Sequence, residues 1–163
     1  MEYTARKHPR LSHYDYSAAG AYFITICTQN RKRLFSDIEK TDENPPHVQL
    51  TAFGKIAEDQ LFQLEERYPF VRIGCFVIMP DHIHVLIQLI SRGAEENPRT
   101  DLNGIICAYK SLVVRQIQNE YRYYDKIFQT SYFEHVLRNR QDYEETEKYI
   151  RNNPVRWYFK NRI

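Results

Sequence analysis

Residues 77–89 read VIMPDHIHVLIQL, with His82 and His84 set into a run of strand-forming apolar residues. On a strand, residues two apart share a face, so the two imidazoles project side by side. Ile83, Val85, Ile87 and Leu89 then point the other way, toward a core. Two neighbouring imidazoles can ligate one divalent cation. Six histidines in 163 residues give a chance HxH in about one such chain in five. The pair alone therefore leaves two readings open: half of a metal site, or two solvent-facing histidines without a task. A structural zinc site would want four His or Cys ligands. Cys27, Cys75 and Cys107 each sit in an apolar segment without CxxC spacing, which suits small buried hydrophobes instead.

A second stretch, DYEETEKYIRNNPVRW at 142–157, has helical character. Tyr149 and Asn153 are four residues apart and share a face if the last helical turn persists. A tyrosine hydroxyl ordinarily ionises near pH 10, so it needs help to act as a nucleophile. An amphipathic packing role for Tyr149 is the plain alternative.

These residues need elements to hold them. AYFITICT (21–28) is rich in β-branched and aromatic residues and predicts a strand. Residues 37–50, with their Pro pair and polar content, predict a loop. Thr51 reads as an N-cap, followed by Phe53, Ile56, Ala57, Leu61 and Leu64 at helical spacing and a stop before Pro69. RIGCFVI (72–78) and HIHVLIQL (82–89) predict an antiparallel pair joined by the MPD turn. Residues 91–100 read as a polar loop. Asp101 caps a second helix whose stripe is Leu102, Ile105, Ile106, Tyr109, Leu112, Val113 and Ile117. SYFEHVLR (131–138) predicts a fourth strand. Asp142 with Glu145 predicts a capping box opening a third helix, and Asn152-Asn153-Pro154 its end. The order is βαββαβ plus a helix. It predicts an α+β, ferredoxin-like sandwich with an antiparallel sheet and an added C-terminal helix carrying the tyrosine.

The length suits one domain over 1–163. No apolar run approaches a membrane span, and residues 1–17 hold no apolar signal core, so a cytoplasmic protein with no membrane partner is expected. The net charge is only +2. Its distribution is more telling. Residues 1–33 carry Arg6, Lys7, Arg10, Arg31, Lys32 and Arg33 against Glu2 and Asp15. Residues 151–163 carry Arg151, Arg156, Lys160 and Arg162 and no acid. Basic ends with Tyr and Trp among them suit single-stranded nucleic acid, whose phosphates need cations and whose bases need flat partners.

Several stretches together resemble one family. They are HIH after MPD, YDYSAAGAYFITICTQNRKRLF (14–35), AYKSLVVR (108–115), FQTSYFEHVLRN (128–139) and KYIRNNPVRW (148–157). They look like the REP-associated tyrosine transposases, a branch of the IS200-like HUH single-strand transposases. The resemblance covers most of the chain, in order. Phe128-Gln129 stands where the family often has Trp-Gln. The resemblance implies an enzyme that cuts and rejoins single-stranded DNA through a covalent 5′-phosphotyrosine, with hairpin or palindromic repeat DNA as partner. By motif position Tyr149 is the nucleophile. His82, His84 and Asn153 hold a divalent cation, Mg²⁺ or Mn²⁺. Arg6, Lys7, Arg10, Lys110, Arg156 and Trp157 are candidate DNA contacts. Family members include monomers and homodimers. The rival expectations are a non-catalytic single-strand nucleic-acid binder and a replication-initiator-type HUH nickase.

Overall fold

The computed structural model describes residues 20–90 and 101–161. Arg6, Lys7 and Arg10, and the loop expected at 91–100, lie outside the described residues. The elements run β1 (Gly20–Cys27), a 3₁₀ turn (Gln29–Arg31), β2 (Ser36–Glu39), β3 (His47–Leu50), α1 (Ala52–Arg67), β4 (Val71–Ile78), β5 (His82–Leu89), α2 (Leu102–Tyr121), β6 (Phe133–Leu137) and α3 (Arg140–Lys160). Four strands form one sheet in the order β4-β5-β1-β6, and every neighbouring pair is antiparallel. This is the α+β architecture expected, with its added C-terminal helix. Among the described residues no helix is long and apolar enough to cross a membrane.

Local signals explain most boundaries. The Thr51 side chain accepts from the Gly54 amide at the start of α1, and Asp101 accepts from the Gly104 amide at the start of α2. Each oxygen satisfies an amide that the helix cannot pair internally. On one sheet face Tyr22, Ile24 and Ile26 of β1 join Ile83, Val85, Ile87 and Leu89 of β5. They pack beneath Ile56, Leu61 and Leu64 of α1 and Ile105, Tyr109 and Val113 of α2. Period two on the strands and the 3.6 period on the helices meet in that layer.

Three expectations need correction. Residues 37–50 are not all loop: β2 and β3 pair antiparallel as a separate hairpin, from Ser36↔Leu50 to Glu39↔His47. Strands this short and polar carry little periodic signal. Tertiary bonds tie their start down: Ser36 Oγ donates to the Ile78 carbonyl, and the Thr51 amide to the Phe35 carbonyl. The third helix opens earlier than the Asp142 capping box. Asn139 is its N-cap, accepting from the Asp142 amide at 2.8 Å. It also runs through Pro154 to Lys160. Proline cannot donate to the Ile150 carbonyl and would ordinarily break a helix. Here α3 is held from outside, because it lies across the second face of the sheet. It touches β4, β5 and β6 there and reaches the β2–β3 hairpin.

Candidate active site

The MPD turn delivers His82 at the first position of β5. In the sheet Cys27 pairs with His82 and Thr25 with His84. Paired residues of an antiparallel ladder put their side chains on one face. That face is the one under α3, so the histidines are not solvent-facing: His82 is 7% exposed and His84 4%. Their rings lie 4.5 Å apart between centroids, at 68°.

Each Nδ1 is engaged. His82 Nδ1 donates to Asp81 Oδ1 at 2.6 Å, and His84 Nδ1 lies 2.8 Å from Thr25 Oγ1. In its neutral form, with Nδ1 donating to Asp81, His82 keeps a lone pair on Nε2, as a metal-ligating histidine requires; the Thr25 hydroxyl accepts from His84 Nδ1 or donates to it, according to the His84 tautomer. Burial first, then the nearby His82 and Arg31 charges, hold the His84 pKa well below the usual imidazole value. Its ring is therefore neutral. Burial alone would raise the Asp81 carboxyl. The hydrogen bond and charge of His82, with Arg31, outweigh that and hold it below the usual value. Asp81 thus stays an acceptor for His82.

α3 supplies the other half. Tyr149 is half-buried, with its ring 5.6 Å from that of His84 and edge-on to Phe23 at 6.1 Å. The Arg156 guanidinium lies 4.9 Å from the Tyr149 ring centroid. Asn153, one turn beyond Tyr149, is buried at 8% exposure. Trp157, a further turn on, has its ring 6.0 Å from His82. Positions 149, 153, 156 and 157 form one helical stripe, which exists in full only because α3 passes through Pro154. His82, His84, Tyr149, Asn153, Arg156 and Trp157 all line a single cleft of about 870 Å³.

Arg31, Arg33 and Lys160 line the same cleft; the sequence marks them only as part of the basic ends, not as candidate DNA contacts. Lys110 lies apart from the cleft lining. Its ammonium donates to the Gln129 and Thr130 carbonyls at 2.6 and 3.2 Å.

Among the described residues no three His, Cys, Asp or Glu side chains are grouped to hold a metal. A third protein ligand beside the two Nε2 atoms would have to come from an amide such as Asn153. Two imidazoles and an amide oxygen fit a divalent cation of intermediate hardness, with Mn²⁺ favoured over Mg²⁺.

Known proteins resemble this chain in sequence and in fold. The family model described as "Transposase IS200 like" matches residues 17–153. A Haemophilus influenzae protein provisionally named a REP-associated tyrosine transposase is 31% identical over 153 residues, spanning 87% of this chain and 74% of that protein. An uncharacterized protein of the same organism is 30% identical over 167 residues, spanning 93% and 89%. Among solved structures, a REP-associated tyrosine transposase bound to a REP hairpin superposes with a TM-score of 0.64 at 19% identity, covering 93% of this chain and 74% of that one. A transposase provisionally assigned in Deinococcus radiodurans gives 0.50 at 15% identity, covering 88% and 97%. At those identities the two structures speak for the fold. The family match and the 31% identical relative speak for the lineage: this chain belongs to the IS200-like transposase family.

Proposed function

We propose that the chain, as one domain over 1–163, cuts and rejoins single-stranded DNA through a covalent phosphotyrosine on Tyr149. The observation that carries this reading is the approach of Tyr149 to His84, 5.6 Å between rings, from elements far apart in sequence. The Tyr149 oxygen attacks the scissile phosphorus in line. The bond from phosphorus to the 3′ oxygen breaks, the tyrosine proton is given up, and the leaving 3′ oxygen takes one up. The phosphodiester energy is kept in the Tyr–phosphate bond, so rejoining to another 3′-hydroxyl needs no nucleotide cofactor. His82, His84 and Asn153 would hold the divalent cation, which when bound polarises the phosphate and offsets its growing charge.

The surroundings suit this substrate. Arg156 is placed to meet a phosphate beside Tyr149, and Trp157 offers an aromatic surface for a base. Arg6, Lys7 and Arg10 are proposed as further phosphate contacts on the strength of their charge. Lys110 is left out, because its ammonium already binds two carbonyls. The nearness of Tyr149 to a histidine of its own chain supports an active site that works within one copy. The hairpin DNA on the REP-associated structural relative suggests hairpin DNA as the substrate here.

The test is to incubate the protein with end-labelled single-stranded hairpin DNA from beside its own gene, with and without Mn²⁺. A cation-dependent adduct that survives denaturation is expected. Tight binding without any adduct would instead favour a non-catalytic binder.

A further inference from the structure

Arg31 belongs to no motif that the site explains, yet its geometry is specific. It follows Asn30 in the 3₁₀ turn after β1, and both are left-handed, with φ of 54° and 56°. Two successive non-glycine residues in that region persist only where the surroundings hold them. Here they do. Thr28 donates its amide and its hydroxyl to the Asp81 carbonyl at 3.0 and 3.1 Å, and the Gln29 amide donates to the Ile127 carbonyl at 2.7 Å. The turn aims Arg31 back over the start of β5. Arg31 Nε donates to Asp81 Oδ2 at 3.1 Å, and Nη1 donates to Cys27 Sγ at 2.7 Å. The other Asp81 oxygen is the one bonded to His82 Nδ1. The Arg31 side chain is 48% exposed, but the Asp81 side chain that it grips is only 9% exposed, so the pair is buried from the carboxylate side.

We propose that Arg31 is a positioning residue. By pinning one oxygen of Asp81 it fixes the other on His82 Nδ1–H, and so locks the tautomer and rotamer that turn His82 Nε2 into the cleft. Outer-shell partners of this kind set the orientation of a ligating imidazole and its affinity for a cation. Cys27 serves as the second anchor of the guanidinium, which explains a thiol directly opposite His82 in the sheet. The inference rests on the proposed metal role of His82, but its structural part does not need a metal.

Two measurements test it. Imidazole ¹⁵N NMR of the DNA-free, metal-free protein reads the His82 tautomer directly. The wild type should show Nδ1–H alone, and Arg31→Ala a mixture of tautomers. Titration with Mn²⁺ alone, followed by electron paramagnetic resonance, reads affinity without turnover. Arg31→Ala should weaken Mn²⁺ binding about tenfold. Lys32→Ala, which removes the same charge from the neighbouring residue, should stay within about twofold. The sign is informative: deleting a positive charge beside a cation site should tighten binding by Coulomb's law, so weakening marks lost positioning. A wild-type His82 protonated at Nε2 would overturn the proposal. So would Arg31→Ala binding Mn²⁺ as well as the wild type or better. Mn²⁺ affinity unchanged in His84→Ala would sink the metal reading instead, and the tautomer readout would still decide the role of Arg31.

Discussion

The two faces of the sheet are built to different ends from the same strands. Beneath α1 and α2, β5 presents Ile83, Val85 and Ile87, each at most 1% exposed in a continuous apolar layer. Beneath α3, the alternate residues of β5 and β1 include His82, His84 and Thr25, and the fully buried apolar patch beside them is small: Phe23, Leu86, Leu137 and Ile150. Each aliphatic side chain buried on the first face contributes about 1.5–3 kcal/mol. A hydrogen-bonded buried polar group nets about 1 kcal/mol. The difference teaches a division of labour. The α1/α2 face supplies most of the stability, which lets the α3 face hold polar groups over a cleft where apolar packing would be stronger.

Substitutions on the two faces should therefore separate activity from stability. The largest effect is expected on the α3 face. Tyr149→Phe should cut the rate of adduct formation by more than about a thousandfold, while hairpin binding by fluorescence anisotropy changes by less than about twofold. Under the proposed one-chain site, mixing Tyr149→Phe with His84→Ala should restore nothing; recovered adduct would show a site shared between copies. On the other face, Leu61→Ala should cost about 2–5 kcal/mol in denaturant unfolding. Adduct formation per folded molecule should be preserved. A catalytic loss as large as that of Tyr149→Phe would break the division of labour.

The smallest effect probes the same face by pH. Burial pushes the Tyr109 hydroxyl, which donates to the Ala57 carbonyl at 2.8 Å, far above its ordinary value. A group whose folded pKa is raised stabilises fully below its unfolded pKa, near 10, and loses that stability as pH rises beyond it. Unfolding free energy should thus fall above about pH 10. Tyr109→Phe should cost about 1 kcal/mol at neutral pH and flatten that alkaline slope.

The sequence made the apolar face legible because regular periods report burial directly. Thr51 and Asp101 marked their helices for the same local reason: a cap is a contact between near neighbours. The α3 face was harder to read. HIH gave the shared direction of the two histidines but not their burial, since nothing local shows that a helix lies over them. The stop read at Pro154 was a sound local inference, overridden by packing. Contacts such as Arg33 with the Trp157 ring at 5.4 Å and Lys40 with the Tyr158 ring at 6.0 Å hold the last turns in place. The β2–β3 hairpin was missed because its stabilising bonds run to Ile78 and Thr51, outside its own sequence. Arg31 and Arg33 were legible only as basic charge, because their specific partners are Asp81 in the turn before β5 and Trp157 on α3.

The central claim is that Tyr149 is the group joined to DNA. Three tyrosines of α3 lie close enough in sequence to compete: Tyr143, Tyr149 and Tyr158. The direct measurement is to form the Mn²⁺-dependent adduct, digest protein and DNA, and map the nucleotide-bearing peptide by tandem mass spectrometry. The account predicts a 5′-phosphodiester on Tyr149 alone. The modification on Tyr143 or Tyr158, with Tyr149 unmodified, would contradict it.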